Sequence, residues 1–176
     1  MPRLRDVVVS RPRLLLVGIN PGLRSGARGH HFAGNGNPFW RLLHAARITP
    51  VLLPYEEDQR LAEFGVALTN ICPRPTRAAS ELTPAEIARG RSTLARKIAR
   101  WRPAVVCFVG VTLYRMYVGA PGVPGPGLKP ERIAGARVFV VPNPSGLNAS
   151  FPGFAHKLPW FRRLRAFVER VAPPAP

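Results

Sequence analysis

Asn20-Pro21-Gly22-Leu23 and Asn143-Pro144-Ser145-Gly146-Leu147 are two turn-rich segments, each directly after an apolar run. Either one alone is an ordinary turn, because proline fixes φ and glycine accepts positive φ. Their recurrence after runs of the same kind points to two halves of one site. The residues missing around them narrow the chemistry. No Asp or Glu occurs in 11–55 or in 132–168, so the paired carboxylates of ordinary glycoside hydrolysis have no local candidate. A phosphate-loop lysine, a dinucleotide-binding glycine triplet, a His-Glu-x-x-His helix and a Gly-x-Ser-x-Gly elbow are absent too. What remains is an amide, backbone N–H groups in glycine-rich turns, and nearby aromatic rings. Such parts can bind a flat polar ring, stabilise an anionic leaving group and orient a water.

The elements that must position these loops are legible in outline. Four short runs read as strands, 14–19, 66–71, 104–109 and 138–141. They are continuously apolar rather than alternating, as in a parallel sheet covered on both faces. Both loops then emerge at carboxyl ends of strands, the usual ligand side of such sheets. The stretches between them are long enough for crossover helices. The clearest is 84–101, with Thr83 as N-cap, Glu86 at capping-box spacing, and Ile87, Leu94, Ile98 and Trp101 on one face. Further helices are expected at 38–46 and 159–171, the second with Pro159 in its first turn and a stripe of Leu158, Phe161, Leu164, Val168 and Val171. Residues 121–130 read as a Pro/Gly loop and 173–176 as a frayed tail. The reading is therefore one α/β domain spanning 1–176, a three-layer α/β/α sandwich around a mainly parallel four-stranded sheet.

Length and charge bound the partners. A chain of 176 residues fits one compact domain. Lys plus Arg number 26 against 9 Asp plus Glu, a net charge of +17, and 23 of the cations are arginine. This balance favours a polyanion over other partners, and the planar guanidinium suits bidentate phosphate contacts. Arg89, Arg91, Arg96, Lys97, Arg100 and Arg102 read mostly as the solvated face of helix 84–101. Cys72 and Cys107 sit in apolar runs and cannot build a four-thiolate site. No cofactor or metal is expected, and the chain reads as a cytoplasmic protein without membrane contact.

Four ordered motifs carry a specific likeness. GINPGLRSG at 18–26, HFAGNGNPFW at 31–40, GVALTNICPRPT at 65–76 and VPNPSGLN at 141–148 resemble the mismatch-specific uracil/thymine-DNA glycosylase family, a branch of the uracil-DNA glycosylase superfamily. The resemblance extends over residues 4–171. It implies that Asn20 positions the hydrolytic water for attack at C1′ of a flipped deoxyuridine, a slower arrangement than an acid would give. It places Ile19, Gly22, Ser25, Phe32 and Asn70 around the base. Phe32 would stack on the ring, and backbone N–H groups near Ile19 and Phe32 would receive its carbonyls. Ser25 would crowd the 5-methyl group of thymine. Asn70 would either hydrogen-bond in the pocket or close an Asx turn. Ser145, Gly146, Leu147 and Asn148 would fill the emptied stack and read the opposite guanine, with Leu147 as wedge. This chain has Ala149 where some relatives have arginine. Arg74, Arg77 and Lys157 are assigned to phosphate contacts.

The resulting expectation is a monomeric, monofunctional glycosylase acting on duplex DNA that contains uracil or a G mismatch, ahead of abasic-site repair enzymes. Neither loop carries a lysine for a Schiff base. Two alternatives belong to other classes. A catalytically idle lesion-binding module would share the pocket and the charge. A small-molecule nucleotide hydrolase would leave the +17 charge unexplained.

Overall fold

The computed structural model describes residues 4–34, 36–119, 124–145 and 150–173. Five strands form one sheet: β1 (Leu14–Gly18), β2 (Val66–Asn70), β3 (Val105–Val109), β4 (Gly127–Ile133) and β5 (Ala136–Val141). Their order is β2-β1-β3-β5-β4. The pairs β1·β2, β1·β3 and β3·β5 are parallel, and β4 runs antiparallel to β5 at the edge. The expected three-layer α/β class is the one observed, with one strand more than expected. The fifth strand, GLKPERI, alternates in burial and carries Pro130 and charges, which a continuous apolar run would not. An edge strand tolerates proline because one side of its backbone has no ladder to complete. Ala134 and Gly135 form its turn into β5, both at positive φ, as in the tight turns that match strand twist.

The apolar runs have a period-2 consequence. Leu14, Leu16, Leu68, Val105, Cys107 and Phe139 face one layer, made by α2 (Phe39–Ala45) and α5 (Phe154–Val171). Leu15, Val17, Ala67, Val106, Phe108 and Val138 face the other, made by α3 (Pro84–Trp101) and α4 (Val111–Val118). Both faces of every central strand are covered, so no polar alternation appears in the sequence.

α3 carries the expected capping box: the Glu86 N–H donates to Thr83 Oγ1 at 3.1 Å and the Thr83 N–H to Glu86 Oε2 at 2.8 Å. The last helix departs from expectation. α5 starts at Phe154, so Pro159 lies inside it rather than in the first turn. Val171 is exposed, while Phe167 joins the buried stripe. At the carboxyl end of the sheet the chain turns from β1 to β2 on one side and later to β3 on the other. That reversal is the switch point where open α/β sheets leave a crevice, and Asn20 stands at it.

Candidate active site

The loop after β1 is zipped to the loop after β2. The Ile71 N–H donates to Gly18 O at 2.9 Å, that of Cys72 to Ile19 O at 2.8 Å, and that of Thr76 to Pro21 O at 3.1 Å. Gly22 and Thr76 form an isolated parallel bridge. Close approach requires glycine at two places. A Cβ on Gly18 would collide with Asn70 Oδ1, and one on Gly26, in the short α1 (Leu23–Arg28), would collide with the Pro75 ring.

The Asn20 amide is fixed by this zipper. Its Nδ2 donates to Thr76 Oγ1 at 2.8 Å, Arg74 O at 2.9 Å and Pro21 O at 3.2 Å. Thr76 Oγ1 in turn donates to Ala78 O at 2.8 Å, so toward Asn20 it can only accept. Flipping the amide would set Oδ1 against two carbonyls, so one orientation is enforced. In that orientation Oδ1 has no partner among the described residues and is free to accept from a water.

Phe32 is half-buried, with its ring stacked on Phe39 at 3.8 Å between centroids. Packing on Phe39 leaves the expected base stacking possible, since one face is on Phe39 and the residue is not fully covered. Its backbone has φ +50°, an uncommon conformation for a bulky residue that persists only where the surroundings over-determine it. They do so here. The Ala33 N–H donates to Ser25 Oγ at 3.0 Å, Trp40 Nε1 to His31 O at 3.3 Å, and the His31 N–H to the buried Asp58 Oδ2 at 2.9 Å. His31 Nε2 donates to Arg5 O at 2.8 Å. Burial pushes its imidazole pKa down, which keeps the ring neutral. Ser25 is buried with its oxygen committed to Ala33, so its first task is to hold the Phe32 loop.

Asn70 ends β2 with its Oδ1 against Gly18 and the Phe32 ring nearby. Its side chain makes no hydrogen bond to the described residues, so the Asx turn is not formed and the amide is available to a ligand. Scarce acids hold each of these pocket residues from behind. Asp6 accepts from Thr69 Oγ1 and Lys97 Nζ, both at 2.7 Å, just before Asn70. Asp58 holds the loop of Phe32. Glu86 grips the Arg74 guanidinium at 2.6 and 3.0 Å, while the Arg74 carbonyl holds Asn20. The Arg74 hydrogen bond, followed by that from the Thr83 backbone, lowers the Glu86 pKa to about 2.

The second loop is described as far as Ser145, whose N–H donates to Asn143 Oδ1 at 2.9 Å. Gly146, Leu147, Asn148 and Ala149 lie outside the described residues. Two assignments to phosphate need correction. Lys157 is 1 % exposed and donates to Pro144 O at 3.0 Å and Ser145 O at 2.8 Å. It fastens the second loop, and burial lowers its pKa. The Arg74 guanidinium is tied up by Glu86 and the Glu81 carbonyl. Arg77 remains exposed, with no ion pair among the described residues. Sequence reasoning missed Thr76, Gly18 and the three acid struts, because each acts between loops or elements that are separate in sequence, 12 residues apart for Glu86 and more than 25 for the rest.

The site therefore offers an oriented amide oxygen, a stacking ring and a second uncommitted amide, at the carboxyl edge of a doubly covered sheet. Residues 6–165 match the model of the uracil DNA glycosylase superfamily. With nearly the whole chain inside that match, the protein belongs to the uracil DNA glycosylase superfamily.

Proposed function

We propose that the protein is a monofunctional glycosylase that extrudes uracil from duplex DNA, preferentially opposite guanine, and hydrolyses its N-glycosidic bond to leave an abasic site. Superfamily membership supports uracil-DNA glycosylase activity in general. The observation that carries the finer reading is the enforced orientation of Asn20. Its Oδ1 accepts a hydrogen from water and turns a water lone pair toward C1′. The C1′–N1 bond breaks first and uracil leaves as an anion; the water oxygen then bonds to C1′, and the proton it sheds passes to the departed uracil or to solvent. An amide cannot remove the water proton in advance, so the sugar must become cation-like first, helped by the surrounding phosphates.

Phe32 would cover one face of the ring. The Asn70 amide and nearby backbone N–H groups would meet its carbonyls, where charge builds as the bond breaks. Extrusion is cheapest for a mismatched base, which underlies the preference for U·G. By the family resemblance, Ser145, Gly146, Leu147 and Asn148 fill the gap and read the guanine. The reaction draws on water and these groups, with no cofactor. Lys157 is buried against two carbonyls, so a Schiff-base step has no nucleophile there. We further propose that the protein works as a cytoplasmic monomer and hands its product to abasic-site repair enzymes.

The test is single-turnover release of uracil from a labelled U·G duplex. Asn20→Ala should slow release by about 10²-fold or more while duplex binding is retained. Wild-type protein that binds the duplex without releasing uracil would overturn the catalytic reading in favour of a lesion-binding module. Release from T·G should lag well behind U·G, and equal rates would remove the pocket-wall argument at Ser25.

A further inference from the structure

A second cleft, of about 870 Å³, opens at the opposite end of the sheet, where Arg13 and Gly65 lead into β1 and β2. It is separated from Asn20 by the length of β1, about 16 Å at the usual rise of a strand. Arg13, Arg47 and Arg165 line it, with Ile48 and Phe64 as apolar wall. Glu63 is the acid on its lining, and Glu169 stands behind, one oxygen 3.5 Å from each of the Arg13 and Arg165 guanidiniums. Glu63 is taken by Arg60, and the single Glu169 carboxylate is shared as an ion pair by two guanidiniums, so Arg13, Arg47 and Arg165 together keep a net positive charge. Arg13 Nε donates to Ala172 O at 2.6 Å and its Nη2 has only the ion pair with Glu169, while Arg165 Nε is shielded from solvent with no hydrogen-bond acceptor, a state that folded proteins seldom leave uncompensated.

Arg47 adds an independent observation. It terminates α2 in the left-handed region, with φ +60°. Its N–H donates to His44 O, and the Ile48 N–H to Leu43 O, both at 2.9 Å. Glycine is the inexpensive residue at such a helix end, yet an exposed arginine occupies it. Strain of this kind, kept beside two other arginines, points to use of the side chain.

We propose that this cleft binds a phosphate-bearing ligand of mononucleotide size, its phosphate on the three guanidiniums and its ring against Ile48 and Phe64. The volume lies within the range of small-ligand pockets, and the paired apolar and cationic walls match a molecule with a flat ring at one end and an anion at the other. The catalytic residues are not involved, so the proposal stands or falls independently of the glycosylase reading.

The experiment is calorimetric titration of the full chain with AMP, which lacks the uracil ring, and with adenosine. Wild type should bind one AMP, with adenosine at least tenfold weaker. Arg47→Gly should weaken AMP at least tenfold while raising Tm, because glycine relieves the positive φ. Arg165→Ala should weaken AMP similarly, with Arg165→Lys as the folded companion if the alanine variant unfolds. Arg89→Ala/Arg96→Ala, on α3, removes two distant charges and should leave AMP binding unchanged. Absent or non-saturable binding, an Arg47→Gly protein that binds as wild type, or equal weakening in the α3 control would each overturn the proposal.

Discussion

Thr76 helps to set which end of the Asn20 amide is left open to the pocket. Its hydroxyl accepts from Asn20 because its own proton is given to Ala78 O, so the pair works as a directional latch. Removing the latch leaves Asn20 Nδ2 with its two carbonyl acceptors but loosens its rotamer, a loss on the order of one hydrogen bond, about 1 kcal/mol. Thr76→Val should therefore slow single-turnover uracil release about fivefold with duplex affinity unchanged, and Thr76→Ser should restore most of the rate. A valine variant as fast as wild type would show that Asn20 holds its orientation without help. Ser25 admits a parallel argument with a different readout. Ser25→Ala removes the acceptor of the buried Ala33 N–H, which costs about 1–3 kcal/mol. The lost bond also frees the backbone that keeps Phe32 at positive φ. A lower Tm together with slower release is expected, whereas a pocket-wall role alone would leave Tm in place.

At the scale of elements, α3 does more than cover the sheet: its N-terminal turn holds the loop that holds Asn20. Thr83 and Glu86 close the helix end, and Glu86 also grips Arg74. The Glu86 pKa is depressed in the folded chain, from the ordinary 4.5 to about 2, so between those values the unfolded chain binds more protons. The contribution is thus complete above about pH 4.5 and disappears as the pH falls toward 2. Glu86→Gln should lower Tm at pH 7, and the gap to wild type should close progressively below pH 4.5. A gap independent of pH would show that the carboxylate charge is not what matters. The capping box was legible in the sequence because it is local, as were the four parallel strands, whose double coverage makes them continuously apolar. β4 was not, because an edge strand tolerates Pro130 and charge. Asn20 stood out by its place after a strand, but Thr76 reads as one more loop residue until Gly22 pairs with it. The start of α5 was hidden because proline inside a helix violates the rule that places it in the first turn.

For the whole molecule, +17 is a surface quantity only after the internal uses of charge are removed. Asp6, Asp58 and Glu86 act as struts behind the pocket, which concentrates the uncompensated arginines on the outside. Counting cations near the two loops therefore overstates the duplex footprint. Lys157 is enclosed with two carbonyls, Arg74 is neutralised by Glu86, and Arg77 is exposed. Each phosphate neutralised contributes about one to the slope of log K against log salt concentration. If Arg77 meets a phosphate, Arg77→Ala should weaken binding uniformly across duplex sequences and reduce that slope by about 1. Lys157→Met should leave the slope unchanged, because no counterion was displaced by a buried ammonium. It should nonetheless reduce uracil release, since the Pro144 and Ser145 carbonyls lose the donor that fixes the second loop. Measuring duplex affinity from low to high salt for wild type and both variants separates the two roles. A slope that falls with Lys157→Met would place that ammonium on the DNA and reverse its reassignment, and one unchanged in Arg77→Ala would remove Arg77 from the footprint.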